Sequence, residues 1–212
     1  MDKVKNLFDS AEHAKNYDEK AKAASWLGSE ILLQLSRQYI HPGESILDLG
    51  IGTGLTSVLF RASGLRVYGM DFSGEMLKVC KTKKIAEDLK EHDLREKPYP
   101  YADASMDHII CGGVLHIFED LRPIFEEVSR IVRKGGTFTF TCADHADIEN
   151  KIEEETNHKH MGKKITIYRH SQAVIEEKLK NCNLILRATS DFFVKLENNH
   201  KRQFKAYLAI KD

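Results

Sequence analysis

Asp48, Gly50, Gly52 and Gly54 occupy alternate positions in the run ILDLGIGTGL, and this is where the sequence first shows chemistry. Glycine adopts backbone dihedrals barred to other residues, and it lets a ligand reach the main chain without meeting a Cβ. A carboxylate beside such a turn repels an anion and complements a cation. Asp71 follows 17 positions after Gly54, behind the apolar run RVYGM. A carboxylate at the end of such a strand can accept both hydroxyls of a ribose, although it can also cap the helix that follows, a task for which Ser73 competes. Asp48 has an alternative role too, tying the glycine turn by accepting backbone amides. His116, in CGGVLHIFED, is a group able to take a proton near neutral pH; its rival role is a histidine at a helix start bonded to backbone. His145 is a second, weaker candidate.

The elements that must position these residues can be read from the apolar spacing. Ile46, Leu47 and Leu49 suit a short strand buried on both faces, with the helix Leu55 to Ser63 after the glycines turning its unpaired amides toward the same crevice. Arg66 to Met70 is a second strand, followed by the helix Gly74 to Thr82, in which Met76 either lies against a ligand ring or is plain core. Lys84 to Glu91 should carry a third strand, although IAEDLKEHDL also reads as a helix. Asp93 falls at its end. Met106 to Cys111 is a fourth strand, Leu121 to Val132 a helix stopped by the turn Arg133 to Gly136, and Thr137 to Cys142 a fifth strand. This alternation implies right-handed parallel crossovers and a doubly wound α/β sheet. The C-terminal runs Leu184 to Leu196 and Gln203 to Ile210 follow a helix, Ser171 to Lys180, and their short link, Glu197 to Arg202, makes them antiparallel.

Ahead of the first strand, Lys20 to Ile40 reads as one helix, with Ala23, Trp26, Leu27, Ile31, Leu35 and Tyr39 at helical spacings. Leu7 to Asp18 mixes Phe8 and Tyr17 with polar residues, and it either anchors a terminal segment or crosses the mouth of a site. Between the fifth strand and the last helix lie 28 residues, Ala143 to His170. Connections in such folds usually run about 2 to 6 residues, so this insertion must contain local helix or serve a purpose, and it is expected to shape the substrate pocket. The organisation expected is one domain over 1–212, with an N-terminal cover at 1–43, a core at 44–142, an insertion at 143–170 and a helix with hairpin at 171–212.

Composition excludes several classes. Lys and Arg number 32 and so do Asp and Glu, so no net field draws the chain to nucleic acid or anionic lipid. No stretch approaches the roughly 20 apolar residues of a membrane span, and MDKVKNLFDS lacks an apolar signal core, which points to a cytoplasmic protein. The four cysteines are widely spaced, so buried free thiols are expected. His158, His160 and His170 lack metal-ligand spacing and stand among lysines; a solvated basic loop and no metal are expected.

Taken together, D-x-G-x-G-x-G at Asp48 to Gly54, GMDFSGEML, HDL, DHIICGGVLH and VRKGGTFTFT resemble the class I S-adenosylmethionine-dependent methyltransferases, especially the group labelled methyltransferase type 11. The likeness covers about 44–142 well and the ends loosely. It implies a mostly parallel seven-stranded sheet with an antiparallel C-terminal strand. It also implies S-adenosylmethionine as cofactor, with S-adenosylhomocysteine as product and a small molecule as acceptor. By the same resemblance Gly50, Gly52 and Gly54 line the methionine part with Asp48 nearby, Asp71 holds the ribose, Met76 borders the adenine, and Phe72 is a further cofactor-binding residue. Asp93 and the Leu94 amide meet the adenine edge, and Cys111 and Gly112 flank the methionine tail through their backbone. Tyr17, His116 and His145 then fall on the substrate side, in a monomer or homodimer. A non-catalytic protein binding the same cofactor is the alternative. A dehydrogenase is disfavoured, because a pyrophosphate calls for G-x-G-x-x-G and no neighbouring carboxylate.

Overall fold

The structure is a computed structural model, and it describes residues 9–144, 154–158, 163–195 and 201–212. His145, His160, Phe8 and most of the link 197–202 lie outside the described residues. Two helices open the chain, α1 (Ala11–Ala23) and α2 (Gly28–Ser36). The core then runs β1 (Ser45–Leu49), α3 (Ser57–Ala62), β2 (Arg66–Asp71), α4 (Gly74–Thr82), β3 (Ala86–Glu91), β4 (Met106–Cys111), a 3-10 turn (Leu115–Ile117), α5 (Arg122–Ile131) and β5 (Val132–Ala143). The remainder is β6 (Glu154–His158), β7 (Lys163–Ile167), α6 (Gln172–Asn181), β8 (Leu184–Lys195) and β9 (Lys201–Lys211).

Seven strands form one sheet in the order β3-β2-β1-β4-β5-β9-β8, parallel except for β9, which runs antiparallel to both its neighbours. The fold expected from the sequence is therefore present: a doubly wound α/β sheet, mostly parallel, with a reversed last strand. The chain winds outward from β1 to β3, then returns to lay β4 on the other side of β1. The two connections leave in opposite directions and open a crevice at the carboxyl ends of β1 and β4. All five residues of β1 are buried, as a central strand covered on both faces requires.

The sheet's faces carry separate cores. On one, Leu32, Ile46, Phe60, Val67 and Ile110 pack beneath α2 and α3. On the other, Phe138 and Phe140 stack at 4.5 Å and Phe140 stacks on Tyr207 at 5.0 Å, under Phe125, Val128 and Ile131 of α5. That stripe, with Ile124, recurs every three or four residues, and Pro123 sits in the first turn, where its missing N–H costs nothing.

Three expectations are corrected. The helix read over Lys20 to Ile40 is broken: α1 ends at Ala23, Ser25 takes φ 55°, and α2 starts at Gly28. Trp26 in the break turns its indole edge onto Phe192 and Phe204, with ring centroids 5.4 and 5.5 Å away. Burying that large ring outweighs one continuous helix. The helix after the glycine turn is shorter than expected, six residues, and the Gly52, Gly54 and Val58 amides are already bonded within the protein. His170 is not in a solvated loop; it is 7% exposed and donates from Nε2 to Phe118 O at 3.0 Å. The insertion holds the antiparallel pair β6–β7. Among the described residues no helix is long and apolar enough to cross a membrane.

Candidate active site

A cavity of about 360 Å³ occupies the crevice at the carboxyl ends of the parallel strands. The glycine turn forms its floor. The Gly50 and Ile51 amides both donate to Met70 O, at 2.8 and 3.0 Å, folding the chain back over the end of β2. This requires left-handed backbone, φ +73° at Gly50 and +53° at Gly52. A Cβ on Gly50 would stand 2.6 Å from Val114, whereas one on Gly52 would meet nothing nearer than 4.0 Å and would project beside Asp71. Gly54 serves a different purpose: a Cβ there would strike Ile85 and Cys80 in the core. Gly52→Val therefore forces a β-branched residue into left-handed backbone, at a cost of about 1–2 kcal/mol, and fills space at the floor. We expect a folded protein by circular dichroism whose ligand affinity in calorimetric titration has fallen more than tenfold, by about 1.4 kcal/mol or more.

Two buried carboxylates face this floor. Asp71, 8% exposed, accepts from Gly52 N at 2.8 Å on one oxygen and from Ser73 N at 2.9 Å on the other. Ser73, not Asp71, caps α4, its hydroxyl accepting from Met76 N. Burial pushes the Asp71 carboxyl up to about 6, against the pull of its two amide bonds and with added repulsion from Asp9 and Asp93. Asp48, 2% exposed, accepts from Ser57 Oγ at 2.7 Å; burial pushes it up to about 7, opposed by that hydroxyl and reinforced by Asp71. Among the described residues no lysine or arginine forms an ion pair with either. A cation would be held between them.

The neighbours divide by chemistry. Phe72, Met76 and Leu94 line the side of the cavity below β2 and β3, with Asp93. Arg95 clasps Asp93 through Nε and Nη2, at 2.9 and 2.6 Å. Gly112 lines the opposite side, where Val114, His116, Ile117, Phe118 and Tyr168 follow. Cys111 is wholly buried and its thiol, raised well above the ordinary range by burial, belongs to the core. Tyr17 reaches the cavity from α1; burial first, then Asp71, Asp18 and Asp48, raise its hydroxyl to about 12, so it is a neutral donor at physiological pH. Asp18 fastens α1 in place, accepting from Thr53 Oγ1 and pairing with Lys83.

Nine of the thirteen described candidates taken from the sequence thus come together as cavity lining plus the buried carboxylates among them: Asp48, Gly50, Gly52, Asp71, Phe72, Met76, Asp93, Leu94 and Gly112. Tyr17 and His116 also line the cavity, whereas Gly54 faces the core and the Cys111 side chain is buried in it. Arg95, Trp26 and Tyr168 were missed. Arg95 stands two residues after Asp93, close enough for a local clasp to be anticipated. Trp26 was read as one more apolar position on a helix. Tyr168 carries no local signal, because the path of β7 alone brings it to the cavity.

The methyltransferase-domain family model matches residues 47–140. The malonyl-[acyl-carrier protein] O-methyltransferase of Serratia marcescens is 34% identical over 138 residues, 65% of this chain and 51% of that protein. An uncharacterised protein of Methanocaldococcus jannaschii is 25% identical over 206 residues, 94% of this chain and 92% of its own length. Among solved structures, magnesium protoporphyrin IX methyltransferase from Synechocystis with S-adenosylmethionine bound superposes with a TM-score of 0.72 at 15% identity, covering 100% of this chain and 98% of that one. The chain spans about half the length of the malonyl-[acyl-carrier protein] methyltransferases it matches.

Proposed function

We propose that the chain is a class I S-adenosylmethionine-dependent methyltransferase that transfers the cofactor's methyl group to a small-molecule acceptor, a reading supported by the family model and by the relatives it resembles. The observation that carries this reading is the pair of buried carboxylates, Asp48 and Asp71, without a cationic partner among the described residues, at the floor of a glycine-turn cavity. That donor set fits a ligand with a positively charged methionine end and a ribose. Asp71, its orientation fixed by two amides, accepts from the ribose hydroxyls. Asp48 faces the cationic end, and Gly50, Gly52 and Gly112 let it approach the main chain. Phe72, Met76 and Leu94 cover the adenine, and Asp93, held by Arg95, accepts at its edge. Bound there, the cofactor supplies a methyl carbon already activated by its sulfonium.

What the protein must add is alignment, exclusion of water and, for a hydroxyl or amine acceptor, a place for the departing proton. Tyr17 and α1 close the mouth of the cavity from above. His116 stands on the acceptor side with its backbone carbonyl fixed by Tyr168 N at 2.8 Å, and an imidazole nitrogen there takes the proton. The buried free thiols suit a reducing setting, and we place the enzyme in the cytoplasm.

Calorimetric titration with S-adenosylmethionine, S-adenosylhomocysteine and NAD in parallel tests the proposal. The first two should bind and the third should not; the reverse pattern overturns it. His116→Gln should lower turnover on an identified acceptor by about a hundredfold, the usual scale of a lost general base, with cofactor affinity unchanged. Full turnover in that variant would leave His116 with a packing role only.

A further inference from the structure

The acceptor side of the cavity has a composition of its own. The carboxylates and Arg95 stand where β1, β2 and β3 end. The wall that follows β4 is lined by Val114, His116, Ile117, Phe118, Thr166 and Tyr168, faced by Trp26, and among the described residues it carries no aspartate, glutamate, lysine or arginine. Trp26 lies over Gly113, where an added Cβ would come within 3.4 Å of the indole. Phe204 of β9 anchors both the indole and the histidine. Trp26 meets its ring at 5.5 Å and 84°, and His116 meets it at 5.5 Å and 88°, each edge to face. Phe192 stacks behind Phe204 at 5.6 Å. The aromatic wall and the imidazole are therefore carried by one ring on a sheet strand, a rigid support of the kind a preformed site needs.

Resting on the methyltransferase reading, we infer that the acceptor is an uncharged, flat aromatic ring bearing a hydroxyl, a phenol in chemical class, with the ring beside Trp26 and the hydroxyl at His116. A phosphate or carboxylate on this wall would be desolvated with no cation to meet it among the described residues. An ammonium would be brought next to the donor's own positive charge with no carboxylate on that side. A neutral ring meets mainly apolar and aromatic surface, and its hydroxyl finds the His116 imidazole there. In the transfer, a lone pair on the acceptor oxygen forms the new oxygen–carbon bond as the methyl carbon's bond to sulfur breaks. The electron pair of that bond passes to sulfur, which becomes a neutral thioether, and the hydroxyl proton moves to an imidazole nitrogen of His116. Phe204 is a positioning residue in this scheme, since it acts through Trp26 and His116.

Three probes with one ring system and different charge test this: 2-naphthol, 2-naphthoate and 2-naphthylmethylamine, titrated calorimetrically into the full chain saturated with S-adenosylhomocysteine. The naphthol should bind at least about tenfold more tightly than either ion, because only the ions must be desolvated without a partner. Phe204→Leu should weaken naphthol binding by about tenfold, the scale of lost edge-to-face contacts, while leaving S-adenosylhomocysteine affinity unchanged; if that variant does not fold, Trp26→Leu serves in its place. Equal or tighter binding of either ion, no binding of any probe, or a variant that binds naphthol as the parent does would overturn the inference. Failure of S-adenosylhomocysteine itself to bind would instead overturn the methyltransferase reading, so the two failures are told apart in the first titration.

Discussion

Replacing Asp71 by alanine should abolish measurable cofactor binding while leaving a folded chain. The side chain is already committed on both oxygens, to Gly52 N at 2.8 Å and Ser73 N at 2.9 Å, so it cannot rotate away from the cavity. A fixed carboxylate with lone pairs to spare is well suited to two ribose hydroxyls. Hydrogen bonds to a charged group contribute about 1.5–3 kcal/mol each, so losing two should cost at least a hundredfold in affinity. The stability change is smaller than the lost bonds alone suggest. Two amides lose their acceptor, which is destabilising, but a buried charge that repels Asp48, Asp9 and Asp93 is removed as well. Thermal unfolding with and without S-adenosylhomocysteine separates the effects: the ligand should raise the parent's midpoint and leave the variant's unmoved. An undiminished ligand shift would reduce Asp71 to a tie for the glycine turn.

Asp48→Asn should do something less usual, stabilising the ligand-free protein while impairing its function. Burial raises the folded-state pKa of Asp48 from 3.8 to about 7. The folded chain therefore holds a proton that the unfolded chain has released between about pH 4 and 7, and stability falls as pH rises through that window. A rise of about three pKa units corresponds to about 4 kcal/mol once the group is fully ionised. Part of that should be recovered by asparagine, about 2 kcal/mol at pH 8, or about 4–8 °C in midpoint for a chain of this size. The gain should vanish below pH 4, where the parent's carboxyl is protonated in both states. Binding should respond in the opposite sense. S-adenosylmethionine carries a sulfonium charge that S-adenosylhomocysteine lacks, so the variant should lose affinity for the first more than for the second. In the parent, binding the cation favours ionised Asp48 and should release protons near pH 7, which titration in buffers of different ionisation enthalpy detects. An unchanged midpoint together with an unchanged preference between the two ligands would place Asp48 outside the site.

Much of this was legible before any coordinates. The winding of the sheet, the glycine turn, Asp71 at the end of β2 and Asp93 after β3 all follow from local rules: an apolar run of strand length, glycines where the backbone must turn back, and acidic residues where parallel strands end. Such features repeat within a few residues of each other, so spacing alone reveals them. Even the poorly patterned β3 follows from its context as a strand, and the sheet puts it at an edge, with Glu87, Asp88 and Glu91 exposed.

The tertiary structure decided what depends on residues distant in the chain. Helical spacing joined Lys20 to Ile40 into one helix, but Phe192 and Phe204, more than 160 residues later, offered Trp26 a burial site that helix continuity could not. Gly54 shares the alternation of Gly50 and Gly52, yet only packing against Ile85 and Cys80 shows that it faces the core. His170 stands near a lysine-rich stretch, and burial beside Phe118 O overrides that neighbourhood. The end of the cavity that holds Asp48, Asp71 and Asp93 is built from successive strand ends, so its residues carry a sequence signature. The end that holds Trp26, His116 and Tyr168 is assembled from the α1–α2 link, the turn after β4, the end of β7 and β9, and no spacing rule connects segments that meet only in the folded chain.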